Sequence, residues 1–183
     1  MYEVRFHGRG GQGAVTAAAM LAAALLEEGK YAVSIPSFGF ERRGAPVVSF
    51  LRCSDKPIRQ LTNIYAPDCL ICVDPTLTRS VDIFAGLKPG GTLVQASNRP
   101  LAEVTLAPNV ATVGLCDAIG IALQIFKKPI TNTLMLGAFA RTTGVVSLED
   151  SDFRDAGLTQ NLLALERGYN ETVVHAIAQK EAA

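Results

Sequence analysis

Six residues near the start of the chain, Gly8, Arg9, Gly10, Gly11, Gln12 and Gly13, carry the clearest chemical signal. A short apolar run, Tyr2 to His7, leads into them and an alanine-rich stretch from about Ala14 to Glu28 leaves them. Strand, glycine turn and helix in that order aim backbone N–H groups and a helix N-terminus at an anion. Arg9 and Gln12 add a cation and an amide to the same turn. The pattern Gly8-x-Gly10-x-x-Gly13 also fits the dinucleotide fingerprint literally. That fingerprint requires an acidic residue about 20 positions further on to hold ribose hydroxyls. The second apolar run, Tyr31 to Ile35, ends instead in Pro36-Ser37, which weighs against a nicotinamide. The plain alternative is a glycine turn that serves only close helix–strand packing.

A second stretch has an unusual composition: Ser37, Phe38, Gly39, Phe40, Glu41, Arg42, Arg43, Gly44, then Ala45-Pro46. Arginine forks bind carboxylates and phosphates bidentately, and aromatics beside arginine act as interface anchors. A solvated loop with an internal Glu41–Arg pair is the alternative, and two phenylalanines count against it. Other reactive residues are sparse. His7 and His175 are the only histidines; His7 ends the first strand, and His175 is expected on the surface of a C-terminal helix over 172–180. Neither histidine belongs to a nucleophilic constellation or to a metal set. Cys69 and Cys72 form a C-x-x-C inside a predicted buried strand, where residues three apart face opposite ways. These two, with Cys53 and Cys116, read as structural thiols, and a four-cysteine cluster spacing is absent.

The elements that must position these residues alternate. Strands are expected over 2–7, 31–35, 46–53, 69–73, 92–96 and 110–113, with a further short one near 103–106. Helices are expected over 14–28, 76–87, 117–127, 131–143 and 150–180, the last broken near Gly157 and Gly168, and a helix or turn around 58–66. Such alternation implies an α/β, Rossmann-like layered fold with a mainly parallel sheet flanked by helices, as one domain over 1–183. Ligands meet the carboxyl ends of strands in such sheets, so the two unusual loops are expected to share one edge. Asp74-Pro75 reads as a strand end and helix start, and either Thr131 or Asn132 as a helix cap.

The chain has 183 residues, 17 basic and 17 acidic, with 49% hydrophobic and only 19% charged residues. A zero net charge gives nucleic-acid binding no support. The apolar fraction suits a sheet covered on both faces and a surface that meets other proteins. No signal-peptide pattern and no apolar run near ~20 residues is seen, so a cytoplasmic protein with no membrane partner is expected.

Taken together, Gly8 to Gly13 and Ser37 to Pro46 resemble one family, the gamma subunits of the 2-oxoacid:ferredoxin oxidoreductases, of which pyruvate:ferredoxin oxidoreductase (pyruvate synthase) is best known. Val73-Asp74-Pro75, Asn132 to Gly137, and Asn161 to Gly168-Tyr169 are weaker echoes, and the resemblance spans essentially the whole chain. It implies a subunit that is not catalytic alone and binds no cofactor by itself. Thiamine diphosphate with Mg²⁺ and the [4Fe-4S] clusters are implied in partner alpha, beta and delta subunits, with ferredoxin or another acceptor taking the electrons. It also implies that Gly8 to Gly13 and Asn132 face coenzyme A, and that Ser37 to Gly44, with Glu41, Arg42 and Arg43, lie at the active-site junction between subunits. The Glu-Arg-Arg-Gly-Ala-Pro form looks like pyruvate-type members, whereas 2-oxoglutarate-type members tend to a shorter Arg-Gly-Gly form. Phe40 stands where pyruvate-type members usually carry proline, which keeps an aromatic 2-oxoacid such as phenylglyoxylate open as the substrate.

Overall fold

The computed structural model describes residues 1–37, 43–147 and 159–178. Seven strands form one sheet: β1 (Tyr2–Arg9), β2 (Tyr31–Pro36), β3 (Pro46–Ser54), β4 (Cys69–Cys72), β5 (Gly91–Ala96), β6 (Val110–Cys116) and β7 (Val173–Ala176). Four helices accompany them: α1 (Ala14–Glu27), α2 (Ala118–Phe126), α3 (Asn132–Thr143) and α4 (Thr159–Asn170). The strand order is β2-β3-β1-β4-β5-β6-β7. The centre, β1-β4-β5-β6, is parallel. Antiparallel strands complete both edges: β3 on β1, β2 on β3, and β7 on β6.

The local reasons are direct. β4 is Cys-Leu-Ile-Cys and every residue is buried, as a central parallel strand covered on both faces requires. Alanines along α1 let it lie close on the sheet, burying Ala14, Ala17, Ala18, Leu21 and Leu25. Gly29, at φ +76°, stops that helix in the left-handed conformation that favours glycine. Asp117 caps α2 by accepting the Gly120 N–H at 3.0 Å.

The two faces are covered differently. All four helices pack with Val4, Phe6, Cys69, Ile71 and Val94 in one large cluster. The opposite face over β4, β5 and β6 is covered by the segments after β4 and β5, through Leu77, Ile83, Leu87, Leu101 and Val104. Cys69 and Cys72 fall in opposite clusters, as the alternation predicts. All four cysteines are buried free thiols, and burial pushes Cys72 up to about 12 and Cys116 up to about 11.

Four expectations are corrected. Residues 76–87 form only a 3₁₀ turn, Pro75–Arg79, followed by a second turn over 83–86. Pro89 and a left-handed Gly86 leave no room for a regular helix there. The strand near 103–106 is a 3₁₀ turn, Leu101–Glu103, between Pro100 and Pro108. Neither a helix nor a hydrogen-bonded turn forms around 58–66; the buried Arg52 guanidinium holds this segment through the carbonyls of Gln60 (3.2 Å), Thr62 (2.6 Å) and Asn63 (3.4 Å). The C-terminal helix runs unbroken through Gly168 and ends at Asn170, and Val173–Ala176 is a strand, so His175 stands on β7. The expected break at Gly157 lies outside the described residues.

Candidate functional site

β1 delivers the chain to the carboxyl edge of the sheet and the glycine turn begins there. Gly11 (φ +92°) and Gly13 (φ +78°) adopt backbone conformations that L side chains resist. The Gln12 N–H closes the turn on the Arg9 carbonyl at 3.0 Å, and the Gly13 carbonyl accepts the Ala17 N–H at 2.8 Å to start α1. No side chain caps α1 and its first turn holds no acidic residue. Among the described residues its first amides therefore carry no side-chain cap, at the positive end of the helix dipole.

The half-buried polar side chains of the turn fold back onto Asp74 and its neighbours. Arg9 donates from Nε to Asp74 Oδ2 (2.9 Å), from one terminal nitrogen to the Gly44 carbonyl (3.1 Å), and from the other to Thr76 Oγ1 (3.0 Å). Gln12 donates from Nε2 to Asp74 Oδ2 (3.0 Å) and accepts the Arg9 N–H on Oε1 (2.7 Å). Burial would raise the Asp74 pKa, but hydrogen bonds from Thr76, Gln12 and Arg9 outweigh it and hold the carboxyl below its usual range. Asp74 also accepts the Thr76 N–H at 2.9 Å, which fixes the start of the 3₁₀ turn.

The strand that neighbours the glycine turn's own strand is not β2. β2 is an edge strand and never neighbours β1. The parallel neighbour of β1 is β4, and an acid does follow it: Asp74. That carboxylate is committed to Arg9, Gln12 and Thr76, however, rather than held open for a ribose.

The described ends of the second loop meet the first. The Gly10 N–H donates to the Ala45 carbonyl (2.9 Å) and the Gly44 N–H to the Gly10 carbonyl (3.1 Å). Ser37 donates its N–H to the Val48 carbonyl (3.3 Å), and Arg43 is exposed. Phe38, Gly39, Phe40, Glu41 and Arg42 lie outside the described residues. Asn132 joins the group from α3: a methyl on Gly13 would sit 3.2 Å from its Nδ2. Its Oδ1 is buried with no hydrogen-bond partner among the described residues. Thr131, not Asn132, is the residue before α3, without a side-chain cap bond.

His7 stays out of the site. It is buried and its Nε2 accepts from Arg5 Nε at 3.0 Å. Burial first, and then the Arg5 charge, push it down to about 3, so it stands neutral. Sequence reasoning missed Gln95, buried near the end of β5. The signal was there: one amide in an otherwise small or apolar strand, Gly91-Thr-Leu-Val-Gln-Ala96. Among the described residues, no three His, Cys, Asp or Glu side chains are grouped to hold a metal ion, and no helix is long and apolar enough to cross a membrane.

Residues 3–171 match the family model described as pyruvate ferredoxin/flavodoxin oxidoreductase. The chain belongs to that family. The gamma-subunit resemblance of the two N-terminal loops is borne out by relatives. The chain is 74% identical, with both chains covered in full, to the NADH-dependent phenylglyoxylate dehydrogenase subunit gamma of Aromatoleum evansii. It is 49% identical to the pyruvate/ketoisovalerate oxidoreductases common subunit gamma of Thermococcus kodakarensis, over 96% of this chain and 99% of the relative. Among solved structures, pyruvate oxidoreductase subunit PORC from Thermotoga maritima is 37% identical with a TM-score of 0.80, covering 94% of this chain and 97% of the other. Within the pyruvate ferredoxin/flavodoxin oxidoreductase family, then, the α/β fold and the glycine turn at its carboxyl edge belong to an oxidoreductase subunit.

Proposed function

We propose that this chain is the gamma subunit of a complex that oxidatively decarboxylates an aromatic 2-oxoacid of the phenylglyoxylate type to its acyl-CoA. The observation that carries the substrate is the 74% identity, over full lengths, to the phenylglyoxylate dehydrogenase gamma subunit, against 49% to the pyruvate/ketoisovalerate relative. Phe40 in the second loop agrees with a departure from the pyruvate-type pattern. Pyruvate remains the second reading, favoured by the Glu41-Arg42-Arg43-Gly44-Ala45-Pro46 form.

The chain's part is to receive coenzyme A and cap a site completed by its partners. The glycine turn fits an anion: its path brings backbone within reach, and the first amides of α1 lack a side-chain cap. Asn132 Oδ1 supplies a buried acceptor beside Gly13 for an N–H or O–H of the same molecule. Arg9 and Gln12 act as struts that hold the turn open rather than as ligand contacts. Thiamine diphosphate, held with Mg²⁺ by the beta subunit, supplies the carbanion chemistry when bound. The alpha subunit completes the assembly, the delta subunit carries the clusters, and ferredoxin or a nicotinamide takes the electrons.

The test is isolation of a tagged copy from its own cells under anoxic conditions, followed by coenzyme A-dependent assays. Phenylglyoxylate is expected to turn over at least tenfold faster than pyruvate, in a preparation containing thiamine diphosphate and further subunits. A preference for pyruvate would overturn the substrate. A chain that purifies alone and binds NAD(H) would overturn the subunit reading.

A further inference from the structure

The connections that leave the parallel strands do not all cross the same face. α1 follows β1, and α2 and α3 follow β6, on the face of the helices. The segments after β4 and β5 cover the other face. Neighbouring parallel strands whose connections part in this way leave a crevice at their carboxyl ends, where α/β sheets bind ligands. This sheet has two such places, between β1 and β4 and between β5 and β6. At the first, Arg9 and Gln12 tie the glycine turn to Asp74 at the end of β4, beside the coenzyme A site proposed above. The second is a cavity of about 490 Å³, within the range of about 300–1,000 Å³ typical of small-molecule sites.

We propose that the β5/β6 crevice binds a purine mononucleotide. Gln95, only 4% exposed, lines it, and its carboxamide oxygen has no hydrogen-bond partner among the described residues. Buried amides are normally paired, so an unpaired amide oxygen in a residue that lines a cavity marks a site that another molecule completes. A glutamine carboxamide offers one donor and one acceptor side by side, the complement of an adenine edge with its amino group and ring nitrogen. Arg79 and Arg99 line the same cavity, exposed and without an acceptor among the described residues. Two unpaired guanidinium forks suit a phosphate. Asp117, anchored by its bond to the Gly120 N–H, and Glu103 present carboxylate oxygens for ribose hydroxyls. Ile119 and Leu123 on α2 add apolar wall for a base. A walled cavity with its selective amide buried suits a small molecule better than a flat protein surface.

The probe is AMP, titrated calorimetrically into the full-length chain with and without coenzyme A. Saturable one-to-one binding is expected, unaffected by coenzyme A. Gln95→Leu, which keeps the shape and removes both hydrogen-bonding atoms, is expected to weaken it at least tenfold. Arg79→Ala with Arg99→Ala is expected to do the same; these residues are exposed, so this arm decides if Gln95→Leu does not fold. No saturable binding to the wild-type chain overturns the proposal, as does binding that survives both changes. Displacement of AMP by coenzyme A would put the nucleotide on the coenzyme's own site and also overturns it. Impaired subunit assembly with unchanged AMP affinity would assign the crevice to a partner protein instead.

Discussion

Arg5 and Arg9 stand on one strand, and both commit their guanidinium groups to other parts of the chain. Arg9 ties the glycine turn to Asp74, Gly44 and Thr76. Arg5, buried, donates to His7 Nε2 and to the carbonyls of Ile83 (2.8 Å) and Ala85 (2.7 Å), pinning the bend after the first 3₁₀ turn. The arrangement requires a neutral His7, whose pKa falls from 6.5 to about 3. The unfolded chain therefore takes up this proton first as pH drops. Stability from this group is whole above about pH 6.5 and is lost as pH falls towards 3, at about 1.4 kcal/mol per pH unit in between. Denaturant unfolding at pH 7, 6 and 5 should show that decline in the wild type. His7→Gln keeps an acceptor for Arg5 and should flatten it; equal slopes in both proteins would show that another group is responsible. At this scale the sequence identified which residues are chemically unusual but not where they point. Arg9 and Gln12 announce polar chemistry by type, whereas their inward turn depends on Asp74, 65 and 62 residues away along the chain.

The helices α3 and α4 meet through glycines. A methyl on Gly137 would strike the Leu165 carbonyl oxygen, and one on Gly168 the Leu134 carbonyl oxygen. The two glycines thus fix the distance between the two helix backbones. Gly168→Ala gains up to about 1 kcal/mol in helix propensity. It nevertheless forces main chain apart, where no side chain can swing away. The expected net loss is about 1–3 kcal/mol by denaturant melt, against about 0.5 kcal/mol or less for the exposed Gln160→Ala on the same helix. A Gly168→Ala protein as stable as wild type would refute the close-approach account. Elements with strong periodicity or continuous burial, such as α1, α3 and β4, were legible in the sequence. The 75–88 and 101–107 covers were not, because prolines and a left-handed Gly86 break them while their apolar spacing still mimics helix or strand. The C-terminal strand carries a helix-like spacing although Thr172-Val173-Val174 is β-branched throughout; pairing with β6 decides it.

The whole sheet grades from a sealed centre to open edges. β4 is buried along its length, while on β7 Val173 and Val174 are 56% and 42% exposed. Native-state hydrogen exchange of the isolated chain should therefore find β4 and β5 amides among the last to exchange and β7 amides among the first. Equal protection across all seven strands would contradict this grading. The parallel centre follows from alternating elements and was foreseeable. The antiparallel additions were not, since β3 reaches β1 by inserting between it and β2, a choice made by long-range pairing rather than local pattern. The Arg9–Asp74–Gln12 ties have one further consequence at this scale. They join the exits of β1 and β4 and, through Gly44, the approach to β3 before anything binds. The turn's loss of conformational freedom thus belongs to folding and not to association. A group docking at this edge meets a preorganised surface, and only the newcomer has entropy left to lose.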